Sequence, residues 1–125
     1  MRDSRRKVLY IDDENPNLLL FKLTFRNEFE VITASSGREG LRMLEEEPEI
    51  SVVISDMRMP EMNGLEFISE ARKNRKDVTY CLLTGYGNTE EIESAVESRI
   101  INYCFRKPFN REEIIDLVNN TERLS

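Results

Sequence analysis

The sequence predicts an α/β fold, a doubly wound, five-stranded parallel sheet with helices on both faces. Strand-like and helix-like stretches alternate five times along the 125 residues, joined by short connections. The apolar runs at 8–11 and 50–55 read as strands covered on both faces, as central parallel strands are. Both end in acid, Asp12-Asp13 and Asp56, and the carboxyl edge of such a sheet is where ligand sites collect. The order 2-1-3-4-5 is one of the two common solutions; periodicity alone does not select it.

The strands are expected at 7–11, 30–33, 52–55, 78–83 and 101–106. The first helix, 15–27, carries Leu18, Leu19, Phe21, Leu23 and Phe25, with Pro16 suited to its first turn. The second starts at Ser36 or Gly37, turns Leu41, Met43 and Leu44 inward and stops at Pro48. The third, 64–74, presents Leu65, Phe67, Ile68 and Ala71. The fourth, 89–98, offers Ile92, Ala95 and Val96. Asn110 caps a fifth with Ile114, Ile115, Leu117 and Val118 inward. On the fifth strand, alternation groups Ile101, Tyr103 and Phe105 on a core face. Tyr103→Ala is therefore expected to cost about 3 kcal/mol.

Composition narrows the function. The length suits one domain over 1–125, with 1–6 a flexible extension. Apolar content of 39% and charged content of 34% suit a soluble protein, and no apolar run is long enough for a membrane span. The run after the basic start ends at Asp12, too early for a secretory signal, so a cytoplasmic location without membrane association is expected. A net charge of −6 argues against direct nucleic-acid binding. Without histidine the chain cannot be a histidine-based hydrolase, a histidine-ligated metalloenzyme or a phosphohistidine carrier. Cys81 and Cys104 lack metal-ligand spacing and read as reduced core thiols.

Two more strand ends carry chemistry, Thr84-Gly85 and Lys107-Pro108-Phe109. Taken singly, each feature is an ordinary turn. Together they are the inventory for phosphoryl transfer to a carboxylate. Asp56 is the nucleophile, and Asp12 and Asp13 join it in binding Mg²⁺, which prefers oxygen ligands. Lys107 and the Thr84 hydroxyl serve the phosphoryl oxygens, and Gly85 leaves their pocket open. Arg58 and Tyr86 are placed to obstruct an in-line water, so the phosphorylated form is expected to be long-lived.

These motifs, with Met57-Arg58-Met59-Pro60 and Gly64 after Asp56, resemble the receiver domain of two-component response regulators, the CheY-like family with its flavodoxin-like (βα)5 fold. The resemblance runs from Lys7 to about Asn120. It implies that Asp56 is phosphorylated by a sensor histidine kinase or phosphotransfer protein. It implies Mg²⁺ on Asp13, Asp56 and the Arg58 carbonyl, with Asp12 acting partly through water, and a cis Lys107-Pro108 bond. The domain would catalyse only its own phosphorylation and dephosphorylation. Thr84 would then alter the surface of the fourth helix, fifth strand and fifth helix, changing contact with an effector domain or downstream protein, or forming a homodimer. With no effector segment after Ser125, a stand-alone regulator and a piece of a longer protein both remain open.

The family usually carries an aromatic residue three positions before the lysine. Here that switch position is Cys104, with Tyr103 beside it, so relay through a ring flip is not expected. Two other classes share parts of this pattern. A haloacid-dehalogenase-type phosphatase normally needs a second acid two residues after its nucleophile, where this chain has Arg58. A phosphorylation-independent, flavodoxin-like binding module normally has a glycine-rich phosphate loop after the first strand, which is absent.

Overall fold

The computed structural model describes residues 5–85 and 89–121. Five strands, β1 (Lys7–Ile11), β2 (Glu30–Ala34), β3 (Ile50–Asp56), β4 (Thr79–Thr84) and β5 (Tyr103–Arg106), alternate with α1 (Asn15–Phe25), α2 (Gly37–Glu46), α3 (Gly64–Asn74), α4 (Glu90–Glu97) and α5 (Arg111–Asn119). All neighbouring strands pair in parallel, in the order β2-β1-β3-β4-β5. The register aligns Ile11 with Ser55, Asp56 with Leu83 and Thr84 with Arg106. The carboxyl ends of β1, β3, β4 and β5 therefore finish along one edge.

Alternation along the strands divides the core between the two faces of the sheet. Leu9, Ile11, Val53 and Leu82 meet the buried faces of α2, α3 and α4. Val8, Tyr10, Ile54 and Leu83 meet α1 and α5. Side chains set most helix starts. Ser36, Thr89 and Asn110 each accept from the backbone NH three residues on, and Asn63 and Glu66 form a reciprocal capping box. No described helix is long and apolar enough to cross a membrane.

Several expectations are corrected. Helix α1 buries Phe21 and Phe25, but Leu19, Leu20 and Leu23 are about half exposed. The expectation of a flexible extension over 1–6 is untouched by two contacts at its end, where Arg5 donates to the Arg26 carbonyl (3.0 Å) and the Arg6 carbonyl accepts from the Glu30 NH (2.9 Å). Residues 1–4 lie outside the described residues. Cys81 is buried, whereas Cys104 is half-buried, and both are free thiols.

Strand β5 begins two residues later than expected because Asn102 supplies a side chain where a strand would supply backbone. Its NH donates to the Tyr80 carbonyl (2.7 Å), while its Oδ1 accepts from the Tyr80 NH (2.8 Å) and from Arg72 (2.9 Å). The turn before it passes through Arg99 at φ 63°. Ile101 thus precedes the strand and packs with Ile92 and Ala95, on the opposite side from Phe105. Tyr103 shares the Phe105 face, but on an edge strand it is 37% exposed. Its ring meets Phe105 edge-on at 4.8 Å, and its hydroxyl donates to Glu113 Oε2 at 2.6 Å. That hydrogen bond, aided by burial and the Glu113 charge, pushes the phenol up to about 12. Tyr103→Ala is accordingly expected to cost only about 1 kcal/mol in chemical denaturation, far below a buried aromatic.

Candidate functional site

The site grows from strand ends. Asp12 follows β1 and is fully buried, Asp13 beside it is exposed, and Asp56 closes β3 at 6% exposure. One carboxylate oxygen from each lies within 4.8 Å of the others. Lys107, just past β5, reaches back so that its Nζ stands 2.7 Å from Asp56 Oδ1. The Lys107-Pro108 peptide is cis. Asp13, Glu14, Asp56, Met57, Arg58, Thr84, Gly85 and Lys107 line a cleft of about 520 Å³. Thr84 is buried at the end of β4, and its carbonyl accepts from the Lys107 NH at 2.8 Å.

The charges are strained against one another. Burial raises the Asp56 carboxyl above the usual range, and the Asp12 and Asp13 charges add to the shift. Lys107 opposes it without cancelling it. For Lys107, burial works to lower the pKa, but Asp56, with Asp12 and Glu14, outweighs it and the net shift is upward. An all-oxygen donor set of three carboxylates, one of them exposed, fits a hard divalent cation that keeps several waters.

Asp12 is held from three sides. Its Oδ2 accepts from the Tyr10 hydroxyl (2.8 Å) and Asn17 Nδ2 (3.1 Å), and its Oδ1 from the Glu14 NH (3.0 Å). Tyr10 is stacked on Phe21 at 4.0 Å, and its phenol is pushed well above the normal range by burial first and then by Asp12. The sequence reading missed Tyr10 and Asn17 as supports of Asp12. Strand alternation offered the signal for Tyr10, since residues two apart share a face.

The loop after β3 brings Arg58 to the cleft and turns through Glu61 at φ 70°. Gly64 then approaches closely: its NH donates to the Met57 carbonyl (2.9 Å), and a Cβ there would stand 2.5 Å from the Asp56 carbonyl oxygen and 2.7 Å from Leu82 Cδ2. Gly64→Ala is therefore expected to cost about 1–3 kcal/mol in thermal unfolding and to displace Asp56. Gly85→Ala is the control, because its Cβ would meet nothing nearer than Lys107 Cδ at 3.8 Å.

Seven of the expected residues thus gather at one edge: Asp12, Asp13, Asp56, Arg58, Thr84, Gly85 and Lys107. Cys104 and Tyr103 instead line a separate groove between α4 and β5. Cys104 packs on the α3/α4 side, the side of Leu82 and Ile92, and Tyr103 lies on the α5 side. Tyr86 lies outside the described residues. Thr84 borders the Asp56 cleft and also a second cavity of about 580 Å³, reaching Thr89, Glu91 and Ile92 of the α4 region.

Comparison with known proteins agrees with this fold. The sequence profile of the response regulator receiver domain matches residues 8–119. The chain is 33% identical over 118 residues to the hydrogenase transcriptional regulatory protein HoxA of Cupriavidus necator, covering 94% of this chain but 24% of that protein. It is 33% identical over 107 residues to a chemotaxis protein CheY homolog of Campylobacter jejuni, covering 82% of each. The chain thus spans about a quarter of the first relative and most of the second. Among solved structures, a receiver domain protein from Clostridium thermocellum superposes with a TM-score of 0.84 at 32% identity, covering 95% of both chains. Chemotaxis protein CheY4 of Vibrio cholerae superposes with a TM-score of 0.84 at 28% identity, covering 94% of this chain and 99% of that one. With the three-carboxylate cluster, strand order and profile match in agreement, this chain belongs to the response regulator receiver domain family.

Proposed function

We propose that the chain, read as a single receiver unit, accepts a phosphoryl group on Asp56 and signals its presence through the α4–β5–α5 face. The observation that carries this reading is the Lys107 Nζ, 2.7 Å from Asp56 Oδ1, beside the acid cluster. A carboxylate oxygen of Asp56 attacks phosphorus; the oxygen–phosphorus bond forms as the donor's nitrogen–phosphorus bond breaks, and the histidine nitrogen leaves. Asp13, Asp56 and the Arg58 carbonyl would hold Mg²⁺, with Asp12 acting through water because its own oxygens already accept three hydrogen bonds. When bound, the ion supplies positive charge against the phosphoryl oxygens. Lys107 exchanges its contact with Asp56 for a phosphoryl oxygen, and Thr84 donates its hydroxyl to another.

The donor is a sensor histidine kinase or phosphotransfer protein, and the exposed Leu19, Leu20 and Leu23 on α1 offer it apolar surface. The receiver acts on an effector domain or a downstream protein. Support for the relay comes from Thr84, which borders both the cleft and the cavity under the α4 region. With Cys104 in the usual aromatic position, and Tyr103 bonded to Glu113, that relay uses no ring flip. Arg58 lines the cleft mouth and slows attack by water.

Intact-mass measurement after incubation with acetyl phosphate tests the reading. One phosphoryl group is expected in Mg²⁺ and none in EDTA. Full labelling in EDTA contradicts the metal-dependent step, and no labelling in Mg²⁺ contradicts the phosphoacceptor reading.

A further inference from the structure

Among the described residues, five large apolar side chains are markedly exposed. Three lie on α1; the other two, Val96 (42%) and Tyr103 (37%), line the same groove between α4 and β5. This groove has a volume of about 460 Å³. Its floor is Ile92, Val96, Tyr103 and Cys104, and its α4 rim is Glu93 and Glu97. Helix α4 carries four glutamates and no basic residue. Neither rim glutamate is used by an ion pair among the described residues.

We propose that the α4–β5 groove docks a cationic amphipathic segment of another protein, its apolar residue against Val96 and Tyr103 and its basic residues on Glu93 and Glu97. This rests on the receiver reading of the α4–β5–α5 face and adds the chemistry of what that face binds. Charge complementarity selects the occupant. In a two-fold contact the same patch faces itself. Here the groove carries Glu93 and Glu97 against Arg106 as its lone base, with Glu113 beside it on α5, so two copies of the patch would bring together mostly negative charge. A second copy is therefore disfavoured, as is a nucleic acid, whose phosphates the same carboxylates repel. A basic helix or strand instead gains paired charge at the rim while covering the exposed valine and tyrosine.

The test uses the whole chain and two designed peptides, an amphipathic helix of lysine and leucine and the same peptide with glutamate for lysine. Amide-resolved NMR titration is expected to show shifts from the lysine peptide centred on 92–97 and 103–106, and none from the glutamate peptide. Glu93→Lys with Glu97→Lys should weaken binding by about tenfold or more, and Val96→Asp should weaken it similarly. The equal charge change Glu45→Lys with Glu46→Lys, on exposed positions of α2, should leave it within about twofold. The beryllofluoride-treated chain should sediment as a monomer. The proposal is overturned if the lysine peptide gives no shifts, if they centre elsewhere, if both double variants lose binding equally, if the glutamate peptide binds as well, or if beryllofluoride drives a dimer that Val96→Asp dissolves. Acetyl phosphate labelling of Asp56 is read separately, so its failure would strike the receiver reading and leave the peptide map standing.

Discussion

Asp13→Ala is expected to abolish most of the stabilisation by Mg²⁺ and to slow labelling by acetyl phosphate about 100-fold or more. Three carboxylate oxygens lie within 4.8 Å of one another. At that separation, with an effective dielectric of about 20, the buried Asp12–Asp56 pair repels by roughly 3–4 kcal/mol, and the exposed Asp13 adds less because water screens its charge. The metal-free site therefore holds unfavourable energy that a divalent cation relieves. For wild type at a cation concentration about 100 times its Kd, the gain is about 2.7 kcal/mol. In a domain of this size that is a rise of roughly 10 °C in Tm. Asp13 is the exposed member, open to an entering ion, whereas Asp12 is already occupied by Tyr10, Asn17 and the Glu14 backbone. Removing Asp13 should leave the metal-free protein slightly more stable than wild type, yet nearly unresponsive to Mg²⁺. Differential scanning fluorimetry with and without EDTA reads both effects. An undiminished Mg²⁺ shift in the variant would exclude Asp13 as a ligand.

Asp56→Asn is expected to abolish labelling and, in EDTA, to raise thermal stability in a pH-dependent way. The Asp56 carboxyl is raised above its ordinary value of 3.8, by burial first and by Asp12 and Asp13, with Lys107 opposing. The folded state then binds the Asp56 proton more tightly than the unfolded state does. The associated stability is fully present below the unfolded value and is lost as pH rises through the raised folded value. Wild type therefore loses stability over that window, while the asparagine variant lacks this titration. The Tm difference, variant minus wild type, should be near zero at the acid end and grow positive toward neutral pH. Lys107, left without its partner, is partly exposed and can be solvated. Calorimetry across this range checks the sign; a difference that shrinks as pH rises would contradict it.

Much of this architecture was legible in the sequence for identifiable reasons. Strand β1 and helix α3 match at both ends, the first bounded by Asp12-Asp13 and the second started by the Asn63 cap. Strand order followed from the family resemblance, because periodicity does not rank parallel neighbours. What escaped depended on tertiary context. Asn102 mimics backbone pairing through its side chain, so the start of β5 was displaced. Tyr103 obeys alternation, yet an edge strand leaves it half open. Leu19, Leu20 and Leu23 are apolar without being core, which no single-helix pattern distinguishes from burial. At the site, the chemistry-bearing residues were readable as strand ends, but the Tyr10 and Asn17 contacts with Asp12 required coordinates.

The central claim is that one carboxylate, Asp56, among 24 acidic residues is the phosphoacceptor. Reductive trapping with borohydride tests it most directly, because it converts an acyl phosphate to an alcohol and marks the residue that carried it. After acetyl phosphate and Mg²⁺ treatment, peptide mapping should place the reduced residue at position 56 and nowhere else. A reduced residue at Asp12, Asp13 or any other acid, with position 56 unmodified, would contradict the account.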